Sequence, residues 1–162
     1  MILIPITGAV TRYLTIPYRV QSATEGGKLH LLWTYELDLA DESIFQGVSL
    51  GTFSVGTFTN IYIKVNAAGT VLAVSPKFLG RLTWNGDLSQ KKIEFVLNTV
   101  YESDAGEFTC GIDLSIIKGF VVDKLTLNVY GKSISYVCGY FVATALFLGV
   151  AIILSCISIH CM

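Results

Sequence analysis

Apolar and polar residues alternate along most of the first 130 positions, and no stretch there repeats every three or four residues as a helix face would. Leu29, Leu31, Trp33 and Tyr35 share one face of a strand by period-two geometry. Ile93, Phe95 and Leu97 share another, with Glu94, Val96 and Asn98 pointing the opposite way. Leu125, Leu127 and Val129 mark a third within 122–130. The same pattern predicts strands over 14–20, where Leu14, Ile16, Tyr18 and Val20 alternate around Pro17, and over 44–50, 71–74, 77–84 and 107–114. Ile61, Ile63 and Val65 add one more. Pro17 fits an edge strand because proline donates nothing to an interior ladder. Glu25-Gly26-Gly27 and Asn85-Gly86 supply turns between alternating runs. Nine short strands with turn signals predict an all-β sandwich.

The last 30 residues follow another rule. From Ser133 to Met162 there is no Asp, Glu, Lys or Arg, and Tyr136 to Ile157 is almost continuously apolar. These 22 residues would form a helix of about 33 Å, enough to cross a hydrocarbon core of about 30 Å. The chain thus divides into a β domain over 13–131 and a transmembrane helix over 134–159. A chain that is 52% apolar and 14% charged agrees, since a soluble domain carries about 25% charged residues. Gly139 and Ala143, and Ala145 and Gly149, have the small-xxx-small spacing that permits a weak dimer through the span. Cys156 and Cys161 are ordinary membrane-end cysteines or palmitate acceptors.

Eleven basic and twelve acidic residues give a net charge of −1, with no Lys/Arg cluster of the kind that binds nucleic acid. The acidic run Glu36, Asp38, Asp41, Glu42 lacks the glycine and ligand spacing of a calcium loop and reads as a solvated loop.

One motif is more specific. Asp104-Ala-Gly-Glu-Phe-Thr-Cys110 sets an aromatic, Phe108, two residues before a cysteine, after an Asp/Gly corner. Upstream, Arg81-Leu-Thr-Trp-Asn-Gly-Asp87 and Ile93-Glu-Phe-Val-Leu97 supply a strand, a turn and a strand. The run from Arg81 to Cys110 resembles strands D, E and F of immunoglobulin V-set domains, of the kind found in myelin protein zero and the β subunits of voltage-gated sodium channels. The resemblance implies a V-set sandwich followed by a single membrane span. It also implies that Arg81 pairs with Asp104 at the corner. The usual disulfide between strands B and F is missing: Trp33 stands at the strand-B position, and Cys110 is the only cysteine among the first 137 residues. Trp33 is expected to pack over Cys110 between the sheets, with Phe45, Val48 or Leu50 filling the place of the usual strand-C tryptophan.

Catalytic raw material is thin. His30 lies on an outward strand face and His160 beyond the span, Cys110 is mid-strand and inward, and neither a phosphate loop nor a metal spacing is present. The chain is read as a non-enzyme without a cofactor. A binding surface remains. Ile116, Ile117 and Phe120 are apolar residues in the expected F–G loop, and Phe53 and Phe58 bracket a Ser/Gly/Thr-rich insertion on the same broad face. Such residues mark either a protein contact or caps on the sandwich.

The V-set resemblance, together with this candidate surface, implies a cell-surface adhesion or receptor-type protein whose partner is another protein, a second copy of itself included, with the helix embedded in membrane lipid. The resemblance to channel β subunits implies the alternative role, an accessory subunit of a larger membrane protein such as an ion channel. The resemblance puts the N-terminal domain outside the cell. A cytosolic domain on a C-terminal tail anchor is the alternative, favoured by the absent disulfide, the absence of any Asn-X-Ser/Thr sequon, and Lys124 and Lys132 on the N-terminal side of the span. Residues 1–12 are greasy but carry no basic leader region, so they are not read as a signal peptide. A glycolipid anchor at Gly131 or Ser133 would need a polar spacer that the sequence lacks.

Overall fold

Pro17 splits the first predicted strand in two. A computed structural model describes residues 10–131, in which β1 (Arg12–Thr15) pairs antiparallel with β3 (Leu29–Glu36), whereas β2 (Val20–Thr24) pairs in parallel with β10 (Phe120–Tyr130). The chain changes sheets across the proline, where no ladder donor is available. Ten strands therefore replace the nine expected. Leu14, Ile16, Tyr18 and Val20 do not form a core face: all four are exposed. Tyr13 packs against the core instead.

The remaining strands are β4 (Gly47–Ser54), β5 (Thr57–Asn66), β6 (Val71–Val74), β7 (Leu82–Trp84), β8 (Lys92–Leu97) and β9 (Gly106–Asp113), with one short helix, α1 (Leu39–Glu42). They form a four-stranded sheet in the order β1-β3-β8-β7 and a six-stranded sheet in the order β2-β10-β9-β4-β5-β6. The architecture is an all-β sandwich of about 120 residues.

The core follows the alternation. Leu29, Leu31, Trp33 and Tyr35 from β3 and Ile93, Phe95 and Leu97 from β8 meet Val48, Leu50, Ile63, Val65, Phe108, Cys110, Ile112, Leu125 and Leu127 from the other sheet. Val48 and Leu50 are fully buried, and Phe45, just before β4, packs its ring 6.1 Å from that of Tyr35. Val96 departs from its expected outward exposure at 1% accessible. It sits on the central strand, flanked by His30 on β3 and Thr83 on β7.

Three other expectations change. The 77–84 segment is mostly not a strand: Pro76–Phe78 forms a 3-10 turn and pairing begins only at Leu82. Asn85-Gly86 is not a two-residue hairpin, because a second 3-10 turn, Leu88–Gln90, follows before β8. The insertion around Phe53 to Phe58 is a continuation of β4 and β5. Their ladder runs out to Ser54 opposite Thr57, and Val55 and Gly56 close the turn with φ of 50° and 80°, the pair of positive values that marks the type I′ form of a two-residue hairpin.

Residues 1–9 and the predicted transmembrane helix over 134–159 lie outside the described residues. Among the described residues, no helix is long and apolar enough to cross a membrane.

Candidate recognition surface

Four connections gather at one end of the sandwich. They are the segment 37–46 with α1, the β5–β6 turn, the β7–β8 turn and the β9–β10 loop. Val10 enters at the same end, beside Lys118 and Asp41. The chain leaves at the other end, where Tyr130 lies opposite Thr24.

The β9–β10 loop exposes two adjacent large apolar side chains, Ile116 at 99% and Ile117 at 100% accessible, equalled among the described residues by Val55 in the β4–β5 turn at the other end. The isoleucines are not sandwich caps. Gly119 (φ 75°) and Ser115 (φ 120°) turn the loop back, and the Gly119 N–H donates to Ser115 O at 2.8 Å. Leu114 is buried at the loop's base. Lys118, next to the isoleucines, forms an ion pair with Asp41 of α1, and Asp41 also accepts 2.6 Å from Thr11 Oγ1. The Asp38 N–H donates to the same Thr11 oxygen at 2.9 Å. Asp41 is thus a buried carboxylate within the run read as a solvated loop, and it ties three chain segments together. The Lys118 and Thr11 hydrogen bonds hold its carboxyl below the usual range against the opposing effect of burial.

Phe120 does something different from its loop neighbours. It opens β10, and its ring meets Phe53 and Phe58 edge-on at centroid distances of 5.9 and 5.1 Å, while Phe53 and Phe58 lie 5.2 Å apart. This half-buried trio rests on the outer face of the six-stranded sheet, above Gly111. A Cβ at Gly111 would come within 2.7 Å of the Phe58 ring, so glycine is what lets that ring lie on the sheet. The five binding candidates therefore fall into two places: Ile116 and Ile117 at the loop tip, and Phe53, Phe58 and Phe120 on the sheet.

Arg81 and Asp104 meet in a two-pronged pair, Nη1 to Oδ2 at 2.7 Å and Nη2 to Oδ1 at 3.2 Å. Arg81 also donates to the carbonyls of Thr99 (2.6 Å) and Lys77 (2.8 Å), and its guanidinium lies 4.2 Å from the Tyr101 ring centroid. The Asp104 side chain is wholly buried. Burial pushes its carboxyl upward, but the Arg81 hydrogen bonds and the Tyr101 N–H outweigh that and hold it below the usual range. Phe108 is buried beside this corner, its ring 5.3 Å from Tyr62 and 6.2 Å from Phe78.

Trp33 and Cys110 are both fully buried in the one core. The Trp33 indole N–H donates to Asp123, which stands opposite Cys110 in the β9–β10 ladder. Desolvation raises the Cys110 thiol to about 12, leaving it a small apolar group at neutral pH. Asp123, Asp41, Thr11 and Gly111 were not legible as functional positions, because each acquires its role from a partner distant in the chain. Among the described residues no group of three or more His, Cys, Asp or Glu side chains is placed to hold a metal ion. No protein-family model matches the chain, and no curated protein matches it.

Proposed function

We propose that this chain is a cell-surface recognition protein of the immunoglobulin V-set type, binding another protein through the loop end of its sandwich. One observation carries the reading: two adjacent isoleucines stand almost fully exposed on a loop that the Lys118–Asp41 pair ties to α1. A monomeric domain gains nothing from holding large apolar side chains in water, whereas a pre-ordered apolar anchor is what concentrates binding energy at protein interfaces. The V-set assignment is supported by three features: a first strand shared between both sheets, a buried Arg81–Asp104 corner, and an aromatic two residues before the inward Cys110.

The buried Cys110, the only cysteine among the described residues, favours a second reading of sidedness, in which the domain is cytosolic, since the sandwich holds its sheets together without a disulfide and suits a reducing compartment. Protease added to intact cells expressing the full chain separates the two. Digestion of the 10–131 domain, together with capture of neighbouring cells that weakens on Ile116→Ser/Ile117→Ser, is the expected result. A fully protected domain would overturn the cell-surface assignment.

A further inference from the structure

The end of the sandwich opposite the recognition loop carries apolar side chains of its own. The β2–β3 turn over 25–28, the β4–β5 turn, the segment between β6 and β7 and the corner between β8 and β9 meet there. β10 ends beside them, its Tyr130 carbonyl accepting from the Glu25 N–H at 2.8 Å. Val55, Leu79, Tyr101 and Tyr130 are all exposed at this end. Val55 is the least expected of them. Its φ of 50° is a left-handed value that strains a β-branched residue, and Asn, Asp or Gly ordinarily fills this position of the turn. At 99% accessible it packs against nothing in the domain, so no internal contact offsets that strain. Leu79 is also held outward. It follows Pro76–Phe78, where Lys77 Nζ donates to the Ser103 carbonyl at 2.6 Å, and it precedes Gly80 at φ 74°.

The sequence that follows selects the partner. Only three residues, 131–133, separate Tyr130 from the start of the expected span at 134, and three residues reach about 10 Å fully extended. We propose that this end of the sandwich rests on the lipid bilayer that the chain enters, with Val55 and Leu79 in the headgroup region and the Tyr101 and Tyr130 rings at its depth. The contact rests on reading 134–159 as a membrane span, and it deepens the recognition proposal by setting the direction of the tip. Tyrosine suits that depth because its ring is apolar and its hydroxyl wet. The Arg81 guanidinium stacked on Tyr101 keeps that ring in place. Charge contributes little. Lys77 is engaged by Ser103 and Asp104, and Lys28 and Lys132 are matched by Glu25 and Glu102, so apolar and aromatic groups hold the contact without anionic lipid. A tether alone would leave the domain free to tip over and lay Ile116 and Ile117 on its own membrane. A second attachment turns the loop end away from it, toward a partner.

A reporter at position 28 tests the contact. The full chain carries Lys28→Cys, with Cys138, Cys156 and Cys161 changed to serine and Cys110 left buried in the core. An environment-sensitive fluorophore is attached, and the chain is reconstituted in phosphatidylcholine nanodiscs containing a lipid with a nitroxide on its headgroup. Emission at position 28 is expected to shift to the blue and to be quenched, while the same label on Ala68→Cys at the loop end shows neither. Adding Val55→Asn/Leu79→Gln should remove most of the shift and quenching at position 28. Asparagine suits the turn, so the melting temperature in detergent should hold or rise, which separates a lost contact from a lost fold. Equal quenching at positions 28 and 68 would overturn the proposal. So would quenching at position 28 that the double change leaves intact, since the tether alone would then explain it. Quenching in cell membranes but not in pure lipid would replace the bilayer with a membrane protein as the partner at this end. Release of the wild-type chain from membranes by alkaline carbonate would remove the span and this contact with it, whereas a firmly embedded chain without quenching leaves the span and the recognition reading standing.

Discussion

The indole N–H of Trp33 on β3 donates to the Asp123 carboxylate on β10 at 2.8 Å, joining the two sheets where a disulfide is absent. Beside it, the Tyr13 hydroxyl on β1 donates to the carbonyl of Cys110 at 3.0 Å. Two side chains, Trp33 and Tyr13, thus bridge the layers by hydrogen bonds. Trp33→Ala should cost about 3–5 kcal/mol as a large-to-small core change. Trp33→Phe keeps most of the apolar volume but strands the carboxylate, at about 1–3 kcal/mol. In urea unfolding, Trp33→Phe combined with Asp123→Leu should lose less than the sum of the two single changes. Strict additivity would show that the bond contributes nothing.

Reductant should leave the melt unmoved. With Cys110 the only cysteine among the first 137 residues and fully buried, thermal unfolding curves with and without dithiothreitol should coincide. A thiol raised to about 12 also resists alkylation, so peptide mapping after iodoacetamide at pH 8 should find Cys110 unmodified in the folded protein and modified in urea.

The corner pair links stability to acid. Asp104 has its carboxyl held below the ordinary value in the fold, so the unfolded chain binds its proton first as pH falls. Its contribution is complete above the unfolded value of about 3.9 and disappears as pH drops through the lower folded value. Arg81→Met should cost about 3–5 kcal/mol at neutral pH, because Asp104 is left buried and unpaired, and should flatten the acid limb of the stability profile. An unchanged acid limb would count against the pair as its source.

Ile117 and Phe120 are three residues apart yet should respond oppositely. Ile117→Ser removes a side chain that touches solvent alone, so binding should fall while the melting temperature holds. Phe120→Ser opens the aromatic trio and should lower stability by about 1–3 kcal/mol. Circular dichroism melts of the two single variants make the comparison, and equal losses would place Ile117 in the packed structure.

Gly111→Ala inserts a methyl 2.7 Å from the Phe58 ring. Displacing that ring should cost about 1–3 kcal/mol, and Phe58→Ala in the same chain should recover part of it. A fully tolerated alanine, judged by urea midpoint, would mean that the ring can slide freely.

The strands of the core were legible because period-two alternation is local, as Leu29 to Tyr35 and Ile93 to Leu97 illustrate. The Arg81–Asp104 corner was legible through its motif. What escaped depends on long-range partners. Asp41 reads as a surface acid until Thr11, 30 residues away, and Lys118, 77 residues away, close over it. Phe53, Phe58 and Phe120 look like loop residues because Ser, Gly and Thr surround them, yet the ladder extends through Ser54 and Thr57 and gathers them on the sheet. The alternation at Leu14 to Val20 misled for a related reason: a strand that changes sheets at Pro17 exposes the residues that a continuous strand would bury.

That change of sheets has a mechanical consequence. β2 runs parallel to β10 through the five pairs from Val20–Thr126 to Thr24–Tyr130, and β10 ends the described chain. A pull along the strands at Gly131, resisted at the loop end, would slide β10 past β2 lengthwise instead of peeling it away. Every hydrogen bond of that ladder then bears load at once, and none can fail ahead of its neighbours. Under tension between its two ends, this sandwich would yield in shear, holding to higher force than a hairpin opened one bond at a time.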